Sequence, residues 1–246
     1  VVLTKLTAVE ARLFLRDPAA PFAVLAIPVG LLVVFGLLAD GGRPSEDFGG
    51  QPALSAFVAP LAVTVLLAML AVLLFPTTIA TYREKGVLRR LSASPVPPGR
   101  LLTAQLLVNL AAALVAGVLA LGVGVLGLGL SLPEHPGGFV LSVALGALAL
   151  FSVGMLIAAL APSGKAANAI GLVTFFPMLA LGGVWVPKEQ LPSFLQHVAD
   201  VLPVGATLNA VRGTWTGTGA SALQLLALAA CAVLCGGIAA RWFRWE

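Results

Sequence analysis

The sequence predicts an all-α integral membrane protein with six transmembrane helices, and three observations lead there. Of 246 residues, 59% are hydrophobic and 10% charged, too few charges to cover the surface of a soluble domain this long. The excess Leu, Ala, Val and Gly fall in helix-length runs, which points to spanning helices and away from barrel strands. The mean hydropathy of +1.05 agrees, and the pI near 9.6 comes from basic residues grouped beside apolar runs. That grouping is the signature of membrane topology and argues against nucleic-acid binding.

Taken in order, residues 2–16 place Leu6, Val9 and Leu13 on one face and Lys5, Arg12 and Arg16 on another. This predicts an interfacial helix, within segment 1–17, lying on a negatively charged leaflet. A signal peptide is the competing reading. It is disfavoured because the next apolar run is too long and lacks a small-residue cleavage site. Six spans follow at 19–39, 54–80 (firmest over 61–75), 101–128, 139–161, 168–186 and 220–240. Each reaches or approaches the roughly 20 residues that cross about 30 Å of hydrocarbon. Together they make residues 1–246 a single transmembrane domain.

Lys5, Arg12, Arg16, Arg83, Lys85, Arg89, Arg90, Arg100, Lys165, Arg241 and Arg244 fall on one side of these spans. Only Arg43, Lys188 and Arg212 fall on the other. The positive-inside rule makes the first side cytoplasmic, with both termini, in a multi-pass protein of the cell membrane. Residues 40–53 and 129–138, the latter holding His135, read as external loops, and 162–167 as a tight cytoplasmic turn.

Segment 187–219 is too long for a turn and too polar for a span. Leu191, Phe194, Leu195, Val198 and Leu202 recur at helical spacing up to Pro203, and Val204, Leu208 and Val211 form a second stripe. Two short helices, dipping partly into the outer leaflet as an external cap, are the favoured reading. The alternative is one helix lying flat, anchored by Trp185 and Trp215. Small residues at four-residue spacing (Ala112, Ala116, Ala120 and Gly124; Ser142, Gly146, Gly154 and Ala158, interrupted by Leu150) predict close helix packing in the third and fourth spans.

The chemistry is sparse. No ionisable residue lies well inside a predicted span, which disfavours an ion-coupled carrier, and no internal repeat is evident. His135 and His197 lack ligand spacing and read as solvated loop residues, and no metal site is expected. Cys231 and Cys235, four apart in an apolar helix, read as packing residues. Ser163-Gly164-Lys165 lacks the glycine and hydroxyl residue of a phosphate loop, since Ala159 and Ala166 stand at those positions. With no catalytic residues of its own, the chain is expected not to be an enzyme by itself. Thr64, Thr77, Thr78, Gln105, Asn109, Asn168, Thr174 and Gln224 read first as interhelical hydrogen-bonding groups. Phe175, Phe176 and Met178, beside Pro177, could line a cavity or face lipid. Thr64, Asn168, Thr174, Phe175, Phe176 and Met178 are the candidates for a substrate path.

Segment 82–98, YREKGVLRRLSASPVPP, is a basic stretch between two long apolar runs. Read as a helix from Arg83 to about Ala93 and stopped by Pro95, it sets Val87, Leu88 and Leu91 on one side. Glu84 joins that side, flanked by Arg83, Lys85, Arg89 and Arg90. Alone, such a helix is too short to persist in water, so it needs a surface to lie on.

Tyr82-Arg-Glu-Lys-Gly86, followed by Leu88, Leu91 and Ser94-Pro95, resembles the first cytoplasmic loop of type-2 permeases of ATP-binding cassette (ABC) exporters. The basic N-terminal helix, the six spans and the short helices before the last span resemble that family too. The resemblance implies a coupling helix docked on a separate cytoplasmic ATPase that binds ATP and Mg. Arg83, Glu84, Gly86, Val87, Leu88, Arg89, Arg90 and Leu91 would make that contact, the apolar ridge and the charges both serving it. It further implies two permease copies, most simply a homodimer, with a substrate path between them faced by the second and fifth spans. The apolar, uncharged interior suggests export of a hydrophobic or amphiphilic, drug-like compound, with lipid or polysaccharide as alternatives.

Overall fold

The computed structural model describes residues 2–38, 43–44, 48, 50–92, 97, 99–183 and 192–243. Its helices are α1 (Val2–Arg16), α2 (Ala19–Leu38), α3 (Leu54–Glu84), α4 (Val87–Ser92) and α5 (Gly99–Leu128). They continue with α6 (Pro136–Leu160), α7 (Gly164–Leu181), α8 (Ser193–Val201), α9 (Pro203–Trp215) and α10 (Ala222–Trp242). Six of them, α2, α3, α5, α6, α7 and α10, are long and apolar enough to cross a membrane. Among the described residues there is no strand, only an isolated bridge between Pro44 and Pro52. One end of the bundle carries Arg83, Arg90, Arg100 and Arg241 and is called the basic end here; the other is the far end.

The second span, α3, is the axis of the bundle: nearly every residue from Leu54 to Val72 is buried. The others surround it, each keeping one side uncovered. α6 packs against α3, α9 and α10, while α5 carries α1 and α2. The interfacial helix has the expected bounds but a different packing face. Glu10 is buried, with Leu6, Thr7, Ala11 and Phe14 partly covered, whereas Val9 and Leu13 are about half exposed. The apolar residues of α1 are thus divided between the bundle and the surrounding phase.

The turns of α3 widen twice into π-helix, at Leu54–Val58 and Met69–Leu74. Each widened stretch comes just before a proline, Pro60 or Pro76. A proline ring clashes with the carbonyl four residues back and supplies no N–H, and a widened turn relieves the clash. Around Pro76 the carbonyls left short of that donor belong to Ala71 and Val72. Gly154 of α6 and Gly171 of α7 lie against them so closely that a methyl on either glycine would overlap the carbonyl oxygen. The fourth and fifth spans are therefore seated on the irregular section of the second. The small-residue spacing in the fourth span supplies one of those seats.

Two helices, α8 and α9, replace the long polar connection before the last span, so the flat single helix is overturned. α9 goes deeper than a cap. Ala206 packs with Ala149 of α6 and with Leu228 and Ala232 of α10, near the middle of both spans. Thr214, by contrast, adjoins Gly138 at their far end. From Thr207, against Gly146, to Thr214 the helix rises about 10 Å. Val204, Leu208 and Val211 are all buried, as that stripe predicted, while Phe194 on α8 is exposed. Trp215 is 2% exposed and no surface anchor. Its indole N–H donates to the Ser131 carbonyl at 2.9 Å, and its ring meets Phe139 edge-on. Trp185, Lys188 and Leu191 lie outside the described residues, as do Ser94, Pro95 and Arg244.

Candidate functional site

The basic segment does not form one helix from Arg83. α3 runs on through Tyr82, Arg83 and Glu84, beyond the expected end at residue 80, and stops in a turn at Lys85–Gly86. Gly86 has φ +67°, the left-handed conformation that ends helices at little cost only for glycine. Its N–H donates to the Arg83 carbonyl at 2.9 Å, and the Lys85 N–H donates to Thr81 at 3.0 Å. The chain then restarts as α4, whose Arg90 N–H donates back to the Gly86 carbonyl at 3.1 Å. The Arg90 guanidinium donates to the Lys85 carbonyl at 3.2 Å. The expected continuous helix is therefore two helices joined at a glycine corner.

That corner redirects the charged side chains. Arg83 donates to the carbonyls of Ala159, at 3.4 Å, and Ala161, at the end of α6. Glu84 accepts the N–H of Gly164, the first residue of α7, at 3.0 Å. A cation thus sits at a helix C-terminus and an anion at a helix N-terminus, each matching the local helix dipole. Two consecutive residues of α3 clamp the short turn that joins the fourth and fifth spans. Thr81 closes the same joint, since a methyl on Gly164 would overlap its hydroxyl. Ser163 caps α7 by accepting the Ala166 N–H at 3.2 Å. The side chains expected to reach outward from Arg83 and Glu84 are engaged within the chain. Leu88 is also turned inward and fully buried, which takes it out of the expected outward ridge, while Val87 and Leu91 are partly covered. Lys85, Arg89 and Arg90 make up the exposed basic surface of the corner.

Beside the clamp, Glu10 forms a polar centre that the sequence reading missed. Tyr82 donates to Glu10 Oε2 at 2.7 Å, and Gln105 Nε2 donates to the same oxygen. Asn109 Nδ2 extends the chain to the Gln105 carbonyl at 2.8 Å. Burial pushes the Glu10 carboxyl up from the usual carboxylate range, against the opposing pull of the Tyr82 and Gln105 hydrogen bonds. The available signal was a carboxylate four residues after Leu6 and four before Phe14, on the helix side that also holds Ala11.

The profile of the ABC-2 type transporter family matches residues 2–215. This chain belongs to that family. Nodulation protein J of Rhizobium meliloti (strain 1021) is 36% identical over 76 residues, 31% of this chain and 29% of that protein. The inner membrane transport permease YhhJ of Escherichia coli (strain K12) is 26% identical over 144 residues, 58% of this chain and 38% of that protein. Nodulation protein J of Rhizobium leguminosarum bv. viciae is 36% identical over 75 residues, 30% of this chain and 29% of that protein. The chain spans about a third of the length of these curated relatives.

In this ABC-2 chain the six substrate-path candidates are not brought together. Thr64 is fully buried, its hydroxyl donating to the Pro60 carbonyl at 2.8 Å, so it belongs to the core of α3. The fifth span, α7, buries Gly171, Phe175 and Leu179 and exposes Asn168, Leu172, Val173 and Phe176. Thr174 donates to Ile170 at 2.8 Å, and Met178 is half-buried. Phe175 meets Phe176 edge-on with ring centres 5.5 Å apart. One uncovered face of α7 thus holds Asn168 and Phe176 but neither Thr64 nor Phe175. His135 Nε2 lies 3.1 Å from the Gly217 carbonyl and His197 Nδ1 2.7 Å from the Ser193 carbonyl.

Proposed function

We propose that this chain is the permease subunit of an ATP-driven exporter, with the basic end and both termini in the cytoplasm. The Arg83–Glu84 clamp is the observation that supports this reading. Family membership implies a separate ATPase, and the corner offers it Lys85, Arg89 and Arg90 as an exposed basic surface. Gly86, Val87, Leu88 and Leu91 set the position of α4, Leu88 by fastening it to the bundle. A push on α4 passes through the Gly86 corner into the last turn of α3. Arg83 and Glu84 then deliver it directly to the ends of the fourth and fifth spans, so three spans move as a unit. ATP and Mg bind to the partner, and this chain carries no catalytic residue of its own.

A second copy of the chain, in a homodimer, covers the open face of α7 and forms a path bordered by Asn168, Thr174, Phe176 and Met178. The cargo is a hydrophobic or amphiphilic, drug-like compound, in keeping with the apolar walls of the spans. A lipid or polysaccharide cargo is the second reading. It is favoured by a 600 Å³ pocket at the far end lined by Gln51, Asn209, Arg212, Ser221 and Gln224, groups suited to hydroxylated ligands. The test is ATP-driven uptake into inverted vesicles holding this chain with its candidate ATPase. Uptake that needs ATP and is lost in Glu84→Ala, with both subunits still co-purifying, supports the coupling reading. Normal uptake in Glu84→Ala, or uptake driven by an ion gradient with no ATPase present, overturns it.

A further inference from the structure

The third and fourth spans follow one another in sequence yet barely touch. A groove runs between them, floored by α3. Toward the far end it is a 310 Å³ cavity walled by Leu66, Leu114, Val118 and Val140. Toward the basic end it widens to 670 Å³ between Leu102, Leu106, Phe151 and Met155, with Ala239 and Ala240 of α10 as a third wall. Leu110, Ala144 and Ala147 line both parts, so the groove is continuous. From Gly99 to Leu121 it follows α5 for about 33 Å, the thickness of the hydrocarbon layer.

The wide half reaches the basic end at Gly99 and Ala240, and their chain neighbours Arg100 and Arg241 are both exposed. Beyond Phe243, which borders it, a second cavity of 610 Å³ is lined by Arg83, Arg241 and Trp242. An apolar channel of leaflet depth thus opens at the basic end one residue from Arg100 on α5 and one from Arg241 on α10, near a tryptophan, Trp242, at the level where such rings meet headgroups. A void at this depth would forfeit dispersion contacts along its walls, and the surrounding phase offers acyl chains to fill it.

We infer that this groove is a binding site for one anionic phospholipid of the leaflet at the basic end. Its acyl chain lies along Leu102, Leu106 and Leu110 opposite Phe151 and Met155, and its phosphate is held between Arg100 and Arg241. The lipid completes the packing between the third, fourth and sixth spans, and the site is independent of the direction of transport and of the cargo.

The test is native mass spectrometry of the full chain released from nanodiscs containing equal phosphatidylglycerol and phosphatidylcholine. The expected result is a one-to-one adduct that prefers phosphatidylglycerol. In the Arg100→Gln, Arg241→Gln double variant that preference should fall about 30-fold, at two surface cations' worth of attraction. Ala144→Phe, which fills the groove and leaves both cations in place, should remove the adduct with either lipid, while its melting temperature reports whether it folds. Equal retention of the two lipids by the unaltered chain overturns the site, as does an adduct indifferent to both variants. The same holds for a third possibility, an adduct displaced by transported cargo at equal stoichiometry, which would make the groove a cargo site.

Discussion

The two ends of the molecule hold their helices together by different means. At the basic end, charged side chains reach from the last turn of α3 to the ends of two other helices, and every link is directional: Arg83 to Ala159 and Ala161, Glu84 to Gly164. At the far end, α9 enters between spans through close backbone approach and buried threonines, with Thr207 against Gly146 and Thr214 against Gly138. Directional bonds between helix ends carry displacement from one helix to another, whereas broad packing of small residues resists it. Under the coupling proposed above, the basic end is the part that transmits and the far end the part that stays fixed. The middle of α3, with its widened turn at Met69–Leu74, lies between the two.

The largest effect is expected at that middle section. Gly154→Val drives a side chain into the Ala71 carbonyl and should cost about 3 kcal/mol or more. The full chain should then lose its cooperative thermal transition in detergent. A transition like the unaltered protein's would remove the seat proposed for the fourth span.

Next comes the corner. Gly86→Ala forces a side chain into φ +67° and should destabilise by about 1–2 kcal/mol. Because nothing crowds the added methyl, the loss should appear equally in Gly86→Ser, and proteolysis should localise it to the basic end. Equal protection of that end in variant and parent would contradict the corner's role.

Glu84→Ala removes one exposed helix cap and should lower stability by only about 1 kcal/mol, yet it cuts a link of the clamp. Its stability change should therefore be small beside its loss of ATP-driven uptake. Glu84→Gln keeps an oxygen able to accept the Gly164 N–H and should recover part of that uptake. If the two variants behave alike, the hydrogen bond is not what couples α3 to α7.

The smallest expected effect concerns Glu10. Its carboxyl is raised from 4.5 by burial, so the folded chain holds that proton at pH values where the unfolded chain has released it. Stability from this group is then greatest below pH 4.5 and declines as pH rises through the raised value. Glu10→Gln keeps an acceptor for Tyr82 and should flatten that decline in melting-temperature profiles. An unchanged slope would place the titration elsewhere.

Much of the architecture was legible in the chain. The bounds of α1 and the presence of all six spans follow from apolar run length and charge placement. Gly86 carried its own signal, a glycine between a charged stretch and a new apolar ridge, although a helix drawn from Arg83 passed straight over it. The second span ran four residues past its expected end because Tyr82, Arg83 and Glu84 find partners that keep polar residues within a helix. The path candidates lie on different sides for a related reason: Thr64 and Asn168 are both polar residues in apolar helices, yet one faces the core and the other the open side. Helical periodicity cannot tell these sides apart when both are apolar.

Six helices long and apolar enough to cross a membrane, and the place where positive charge collects, are written in the chain itself, because length, hydropathy and charge are properties of each segment alone. Helix packing, in contrast, makes Arg83 and Glu84 bind their own chain, turns Glu10 and Leu88 inward and brings α9 to mid-bundle. Those outcomes depend on groups far apart in sequence, 80 residues for Glu84 and Gly164 and 95 for Glu10 and Gln105. Bringing such groups together is a matter of how helices pack against one another, which no single stretch of chain encodes.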